Sequence, residues 1–135
     1  MVLSQGTLEF STSPKSFLDI TKEVQNFVSE SNIQDGVCNL FIKHTSASLV
    51  IQENYDPSVR KDFETIFSKL APEDFPYVHN MEGKDDMPAH IRSALTSTSE
   101  TIPIVNEKLS LGTWQGIYIW EHRDQTHNRK VMVSM

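Results

Sequence analysis

The chain has 135 residues, 38% hydrophobic and 22% charged, which is enough for one domain spanning residues 1–135. Its net charge of −6 at pH 7 argues against general nucleic-acid binding, which needs a basic face. A single cysteine, Cys38, excludes an intramolecular disulfide, and no apolar run approaches the roughly 20 residues of a membrane span. We therefore expect a cytoplasmic protein whose partners include neither nucleic acid nor membrane.

The first third of the chain predicts a strand, a helix and two extended runs. Residues 7–11 alternate weakly, as a strand does. A helical stripe follows, with Asp19 or Ser16 as its N-cap: Phe17, Ile20, Val24, Phe27 and Val28. Gly36 ends that segment. Residues 37–44 are largely apolar on both faces, which is typical of a central strand, and a shorter run ends at Glu53.

Asp56 and Pro57 predict the start of a second helix, because aspartate is a good N-cap and proline fits the first turn. Pro72 ends it. Its buried stripe is predicted to hold five residues: Val59, Phe63, Ile66, Phe67 and Leu70. Its solvated face is predicted to hold four charged residues: Arg60, Lys61, Asp62 and Glu64.

The stretch 77–94 is polar and predicts a short strand or loop, then a loop up to Asp86. Asp86 and Pro88 indicate another capped helix of two to three turns. Four extended runs follow, IPIV, LSLG, WQGIYIWEH and KVMVS, and the last two are joined by a hairpin loop, RDQTHNR. Without a βαβ alternation, this predicts an α+β fold with a mainly antiparallel sheet packed against two to three helices.

Histidines and acids gather at the ends of these elements. His44 and His122 follow predicted strands, while His79 and His90 flank the acidic loop. Histidines in such places can be zinc ligands. No compact motif of the HExxH type is present, however, so the same pattern is also explained by histidines that lie at the surface or only form hydrogen bonds. The acids of the loop suit magnesium, or form a solvated loop in which Asp86 is only a cap: Glu82, Asp85 and Asp86.

Three further features fit a ligand or an ordinary structural role. Arg92 lies one turn after Pro88, where it would reach a phosphate or pair with a loop acid. Ser46, in HTSAS, offers a hydroxyl where a ligand approaches closely or where a strand edge needs a partner; without a GxSxG motif we do not expect a serine nucleophile. Trp114 and Gln115 stand between two glycines, which indicates a bulge or a close ligand, although a core tryptophan fits as well.

Taken together, these motifs have a known counterpart. The series HTSASLVIQENYDPSVRKDFE, YVHNMEGKDDMPAHIRSAL and LSLGTWQGIYIWEHR resembles the YjbQ-like family, whose members are described as secondary thiamine-phosphate synthase enzymes. The resemblance runs in register from about Gly36 to the C-terminus. It departs at turn positions, since Glu107 and Lys108 stand where we expect a glycine and Thr126 where we expect a proline.

The resemblance implies a homotrimer with sites near the subunit boundaries. It also implies condensation of hydroxymethylpyrimidine pyrophosphate with thiazole phosphate, as a secondary activity. A metal-dependent hydrolase and a non-enzymatic trimeric module remain alternatives.

For the condensation, the chemistry of the side chains suggests three groups of site residues. A divalent metal, zinc or magnesium, is expected on His79, His90 and His122. The residues expected to be catalytic are His44, Asp86 and Arg92. Contacts to a phosphorylated substrate are expected from Ser46, Glu82, Trp114 and Gln115.

Overall fold

The computed structural model describes all 135 residues and contains eight strands and three helices. The strands are β1 (Gln5–Thr12), β2 (Phe17–Asp19), β3 (Gly36–Ile42), β4 (Ala47–Glu53), β5 (Ser99–Val105), β6 (Lys108–Leu109), β7 (Gln115–Glu121) and β8 (His127–Ser134). The helices are α1 (Thr21–Glu30), α2 (Pro57–Leu70) and α3 (Asp86–Leu95). None of these helices combines the length and the apolarity needed to cross a membrane.

The strands form two antiparallel sheets, which confirms the predicted α+β class. One sheet has the order β1-β8-β3-β5-β6 and the other the order β2-β7-β4. β3 lies between two neighbours, as its two apolar faces predicted. β7 pairs with β4 so that Glu121 lies opposite Ala47 and Gln115 opposite Glu53. The two ends of the WQGIYIWEH run therefore lie at opposite ends of β7, the central strand of the small sheet.

The core forms where alternate side chains of the strands meet α1. β3 contributes Cys38, Leu40 and Ile42, and β7 contributes Ile117 and Ile119. Each fully buried aliphatic side chain of this kind contributes about 1.5–3 kcal/mol of transfer free energy. Cys38 is one of these core residues, as expected, and burial raises the pKa of its thiol to about 11. The expectation of one domain stays a prediction.

The first helix starts later than predicted. Phe17 was expected on its stripe but lies in β2, where it pairs with Trp120 and stacks on the indole at 4.4 Å. The N-cap position is Ile20, so neither Asp19 nor Ser16 occupies it. Asp19 still accepts a hydrogen bond from the Thr21 backbone N–H at 2.9 Å. A spacing of three residues cannot distinguish a helix turn from a strand edge that leads into a helix.

The second helix is confirmed, with Asp56 accepting a hydrogen bond from the Ser58 backbone N–H at 2.9 Å. Its predicted buried stripe is only partly covered, because Ile66 is 52% exposed and no residue of α2 is fully buried. Glu64, assigned to the solvated face, is half-buried instead and accepts hydrogen bonds from Arg92 and Trp120.

The C-terminal strands differ in length from the predicted runs. Of the predicted LSLG run only Leu109 lies in β6, which begins one residue earlier at Lys108, and β8 begins at His127, inside the predicted hairpin loop. The turn between β5 and β6 has φ values of 51° at Asn106 and 64° at Glu107. Such left-handed conformations favour glycine, so the glycine expected near this position would suit the turn better than Glu107 does.

Candidate metal centre and adjoining cavity

Three side chains converge at the start of α3. Asp86 lies in the first turn of the helix, His90 follows one turn later, and His79 comes from the preceding loop. The Asp86 Oδ2 atom lies 2.8 Å from His79 Nε2 and 3.4 Å from His90 Nε2. One ligand atom from each of the three residues lies within 4.8 Å of the other two. The i, i+4 spacing on a helix accounts for the meeting of Asp86 with His90.

His90 is held in a defined tautomer. Its Nδ1 lies 2.9 Å from the Thr45 backbone oxygen, which can only accept, so Nδ1 carries the proton. In the neutral ring, Nε2 then presents its lone pair to the Asp86 carboxylate. A metal ion between these two electron-rich atoms, which lie 3.4 Å apart, would be bound by both. A backbone carbonyl that orients the ring in this way is common behind metal-binding histidines.

Arg123 braces the acidic side of this cluster. Its Nη1 lies 3.0 Å from Asp86 Oδ1, its Nε donates to Asp85 Oδ2 at 2.8 Å, and its Nη2 donates to the Glu82 backbone oxygen at 2.9 Å. Burial raises the pKa of Asp85, but hydrogen bonds from Arg123 and from the Asp124 backbone outweigh it and lower the pKa overall. Asp85 is therefore a structural partner of Arg123, whereas Asp86 keeps Oδ2 for the histidines.

The donor set fits a divalent transition metal. Two imidazole nitrogens and one carboxylate oxygen are the protein ligands of many catalytic zinc sites, which keep a further position open. Of the three predicted magnesium acids, only Asp86 is in the cluster, and Glu82 is nearby, with Oε2 3.7 Å from His79 Nε2. The predicted alternative of Asp86 as a helix cap is wrong, because Asp86 is inside α3 and Asp85 holds the N-cap position.

His122 lies outside this cluster. It is 1% exposed, and its Nε2 is 2.8 Å from the Ser48 hydroxyl. Burial, with a smaller contribution from the positive charge of Arg92, lowers the pKa of His122 to about 3, so the ring is neutral at physiological pH. The ring borders a cavity of about 140 Å³, whose wall also includes Asp85, the neighbour of Asp86.

Arg92 lines the same cavity and pairs with an acid, but not with a predicted one. Its Nη1 donates to Glu64 Oε1 at 2.7 Å and its Nη2 to the Ser68 hydroxyl at 3.2 Å. The guanidinium also lies 5.9 Å from the centre of the Trp120 ring, within the range of a cation–π contact. The partner acid therefore comes from α2 and not from the loop.

The two site residues predicted in HTSAS, His44 and Ser46, are not members of the cluster. The His44 Nε2 accepts a hydrogen bond from the Lys130 backbone N–H at 2.8 Å, and burial lowers the pKa of this histidine. His44 shares an open cleft of about 250 Å³ with His90. Ser46 is buried, and its hydroxyl accepts from Arg129 Nη2 at 2.9 Å, which gives it a structural partner.

Within one chain, Trp114 and Gln115 are not brought to the cluster. They stand at the Glu53 end of β7, and six residues of strand, roughly 20 Å, separate them from Glu121. Trp114 is 56% exposed and packs edge-on against Tyr55 at 5.1 Å between ring centres. The Gln115 side chain accepts from the Gly112 backbone N–H at 2.7 Å and so shapes its own loop.

Sequence reasoning missed four residues of this region: Lys15, Glu64, Glu73 and Arg123. Lys15 lines the cavity and has a φ of 45°. A sequence pattern predicts such a left-handed conformation only where Asn, Asp or Gly stands, so a lysine gives no sign of it. Arg123 was visible as the end of the EHR run, directly after a predicted strand. Its partners, however, lie some forty residues away, which no local pattern shows.

The chain as a whole is similar to known proteins. The family model described as "UPF0047 protein YjbQ-like" matches residues 6–135, nearly the whole chain. The chain belongs to the YjbQ-like UPF0047 family. The resemblance found from the motifs is thereby confirmed.

Relatives in the UPF0047 family match over the same length. A UPF0047 protein from Synechocystis is 53% identical, covering 97% of this chain and 90% of its own. The YjbQ protein from Salmonella typhimurium is 41% identical, covering 97% and 96%. A crystal structure of a YjbQ/UPF0047 family protein from Clostridium acetobutylicum is 39% identical, covers 96% of this chain and 98% of its own, and gives a TM-score of 0.87. None of these names carries a biochemical activity.

Proposed function

We propose that this protein is a metal-dependent enzyme that acts on a small phosphorylated substrate at the His79–Asp86–His90 cluster. This proposal is based on the two imidazole nitrogens and one carboxylate oxygen of the cluster, which all lie within 4.8 Å of one another. A bound divalent ion would supply charge neutralisation and polarisation at phosphate or carbonyl oxygens. The chain itself orients His90 through Thr45 and fixes Asp86 through Arg123.

A place for the phosphate adjoins the cluster. A cleft of about 250 Å³ is lined on one side by His79 and includes Lys84, Asn80 and Gly83. An ammonium group and an amide are typical donors to phosphate oxygens. A substrate held in this cleft would have its phosphate next to His79 and therefore next to the metal ligands.

The specific reaction we propose is formation of thiamine phosphate, and its support is the motif resemblance. In that reaction the bond between the pyrimidine methylene and the pyrophosphate oxygen breaks. A bond from the thiazole nitrogen to the methylene forms, and pyrophosphate leaves with the electron pair. Lys84 in the cleft suits the negative charge that develops on the leaving group.

A second candidate is a metal-dependent hydrolase, and the ligand set favours it. Magnesium prefers oxygen ligands, whereas His79 and His90 offer nitrogen, which suits zinc. Three protein ligands with an open position are the arrangement found in zinc hydrolases. The substrate of such a hydrolase would occupy the same cleft.

The homotrimer is also part of the proposal. The outer face of the five-stranded sheet exposes three large apolar side chains: Val37, Phe41 and Val105. Covering this face with other copies would remove it from water, as the trimer expected from the resemblance requires. Phe41→Glu should then give smaller particles in light scattering, whereas Lys22→Glu on the exposed side of α1 should not. We also propose a cytoplasmic location, because a single cysteine suits a reducing compartment.

The test combines metal content with turnover. The purified protein is stripped with a chelator, reloaded with zinc or magnesium, and assayed for thiamine phosphate, with His90→Ala and Asp62→Asn as variant and control. We expect one bound metal per chain and product formation in the wild type and in Asp62→Asn, and neither in His90→Ala. Full activity of the stripped protein would contradict the proposal. Metal binding without product would favour the hydrolase, which a panel of phosphate and amide substrates then tests.

A further inference from the structure

An exposed aromatic ring lies in the wall of the cleft that contains Lys84. Phe75 lines this cleft and is 57% exposed, and Tyr77 lies beside it with 4.9 Å between the two ring centres. Single exposed apolar residues are common at protein surfaces. This one, however, shares its cleft with the metal-cluster residue His79, so a molecule bound next to the cluster can reach the ring.

The loop around Pro76 holds the two rings in place. The Tyr77 N–H donates to the Phe75 backbone oxygen at 2.9 Å, which is the pattern of a γ-turn around Pro76. The proline fixes its own φ and restricts the residue before it to extended conformations. The Tyr77 hydroxyl donates to the Pro72 backbone oxygen at 2.7 Å, and burial raises the pKa of this hydroxyl above its usual 10. Because the rings are already ordered, a ligand that contacts them loses less free energy to side-chain ordering.

The polar part of the same lining suits a phosphate group. Lys84 and Asn80 are both exposed, and their N–H groups can donate to phosphate oxygens. One acid, Glu73, also lines the cleft, but it forms an ion pair with Lys15, which neutralises its charge. The cleft therefore combines an accessible aromatic surface with an accessible phosphate-binding group.

The size of the cleft matches a small ligand with one ring. A cavity of about 150 Å³ is large enough for one benzene molecule. The cleft has a volume of about 250 Å³, which leaves space for a phosphate next to a ring of that size. A ring phosphate is therefore a better match than a phosphate alone, which would leave Phe75 uncovered.

We propose that this cleft binds the phosphate ester of a single planar ring, with the ring against Phe75 and the phosphate at Lys84. Aromatic rings attract one another in offset-stacked and edge-to-face arrangements, beyond the free energy of covering apolar surface. Phe75 is then a specificity-determining residue that selects a planar ring over a saturated one. The inference rests on the proposed function for the position of the phosphate beside His79, and it adds the group that recognises the rest of the substrate.

The test compares phenyl phosphate with cyclohexyl phosphate, which carry the same phosphate on a planar and on a saturated six-membered ring. Both are titrated calorimetrically into the zinc-loaded full-length protein. Phe75→Leu removes the planar ring and keeps an apolar side chain, whereas Phe75→Tyr keeps a planar ring. Tyr55→Leu removes an exposed aromatic ring outside the cleft and is the matched control. Circular dichroism shows that each variant is folded before it is titrated.

The ratio of the two affinities is the decisive quantity, because a general disturbance of the loop would weaken both esters alike. We expect wild type, Phe75→Tyr and Tyr55→Leu to bind phenyl phosphate about three- to tenfold more tightly than cyclohexyl phosphate. Phe75→Leu should bind the two esters equally. Equal affinities in the wild type, a preference that survives in Phe75→Leu, or no binding of either ester would overturn the inference.

A further variant, Lys84→Met, separates the ring from the phosphate. It should weaken both esters by the same factor, and a change in their ratio would contradict the role given to Phe75. If the preference for the planar ring is found but the protein has no metal-dependent turnover, the ring assignment stands and the proposed enzymatic function fails. Metal-dependent turnover of a planar-ring substrate with an unchanged KM in Phe75→Leu would have the opposite meaning.

Discussion

Two buried carboxylates near the end of β7 differ in the kind of partner that contacts them. Glu121 is fully buried and accepts from the Thr12 hydroxyl at 2.6 Å, from Arg129 Nε at 2.7 Å and from the Arg123 backbone N–H at 3.0 Å. Asp86 is paired with Arg123 through Oδ1, while the Nε2 atoms of two histidines converge on its Oδ2. The contacts of Glu121 come from a hydroxyl, a guanidinium and a backbone N–H, whereas Asp86 Oδ2 faces two imidazoles, the commonest side-chain ligands of metal ions.

The kind of partner, and not the residue type, therefore distinguishes the structural carboxylate from the one that we propose as a metal ligand. Glu121, His122 and Arg123 are consecutive, yet each joins a different cluster. The alternating pleat sends Glu121 towards the region between the sheets and His122 to the Trp120 face. Arg123 lies beyond the strand and reaches the loop acids.

The largest effect should come from breaking the cluster around Glu121. Burial raises the pKa of Glu121, but hydrogen bonds from Arg129, Thr12 and Arg123 outweigh it, so its pKa lies below the ordinary 4.5. Glu121 thus stabilises the fold above pH 4.5, and this contribution is lost as pH falls through the lower folded value. Glu121→Gln leaves Arg129 buried without its charge partner and should lower the unfolding free energy by about 3–5 kcal/mol in urea denaturation.

The zinc affinity of folded Glu121→Gln should match that of the wild type. A stability loss below about 1 kcal/mol would show that the Glu121 cluster is not the structural one.

The next effect should come from the cluster of His79, Asp86 and His90. Asp86→Asn removes the carboxylate that both histidines share, and loss of a direct ligand should exceed the 10- to 100-fold affinity loss typical of outer partners. Zinc affinity should therefore fall by at least about 100-fold, measured by competition with a chromogenic chelator. Asp62→Asn, on the exposed face of α2, is the matched control and should bind zinc as the wild type does. Equal losses in both variants would show that net charge, and not the cluster, governs binding.

A smaller effect is expected in the pH dependence of stability, and it comes from His122, which belongs to neither cluster. Its folded pKa of about 3 lies below the ordinary 6.5, so between these values the unfolded state binds the proton and stability falls as pH falls. From pH 8 to pH 5 this should cost about 2 kcal/mol. The His122→Gln variant should not show this loss of stability. Urea unfolding of the wild type and the variant across that pH range measures it. Parallel pH profiles would show that His122 can be protonated in the folded state.

The smallest effect should come from a turn distant from all these groups. Glu107 has φ of 64°, which costs a residue with a Cβ roughly 1–2 kcal/mol, partly offset by the greater freedom of glycine in the unfolded chain. Glu107→Gly should therefore raise the unfolding free energy by about 0.5–1 kcal/mol without changing zinc affinity. A change in zinc affinity would show that the metal cluster responds to stability in general.

Sequence reasoning found the fold class and singled out each of the three converging residues, because both leave local signals, but it placed Asp86 among the catalytic residues and His122 among the metal ligands. Asp86 and His90 share a helix face by spacing, and His79 stood in the same polar stretch. It did not find Glu64 as the partner of Arg92, since the meeting of α2 with α3 depends on tertiary packing. It assigned Phe17 to a helix because pairing with Trp120, about a hundred residues away, leaves no trace near Phe17.

Anomalous diffraction at the zinc edge, from crystals grown with one equivalent of zinc per chain, tests the central claim most directly. The account predicts one strong peak about 2.0–2.2 Å from His79 Nε2, Asp86 Oδ2 and His90 Nε2, with no peak at His122. A peak that has His122 among its ligands, or no peak at Asp86, would contradict it.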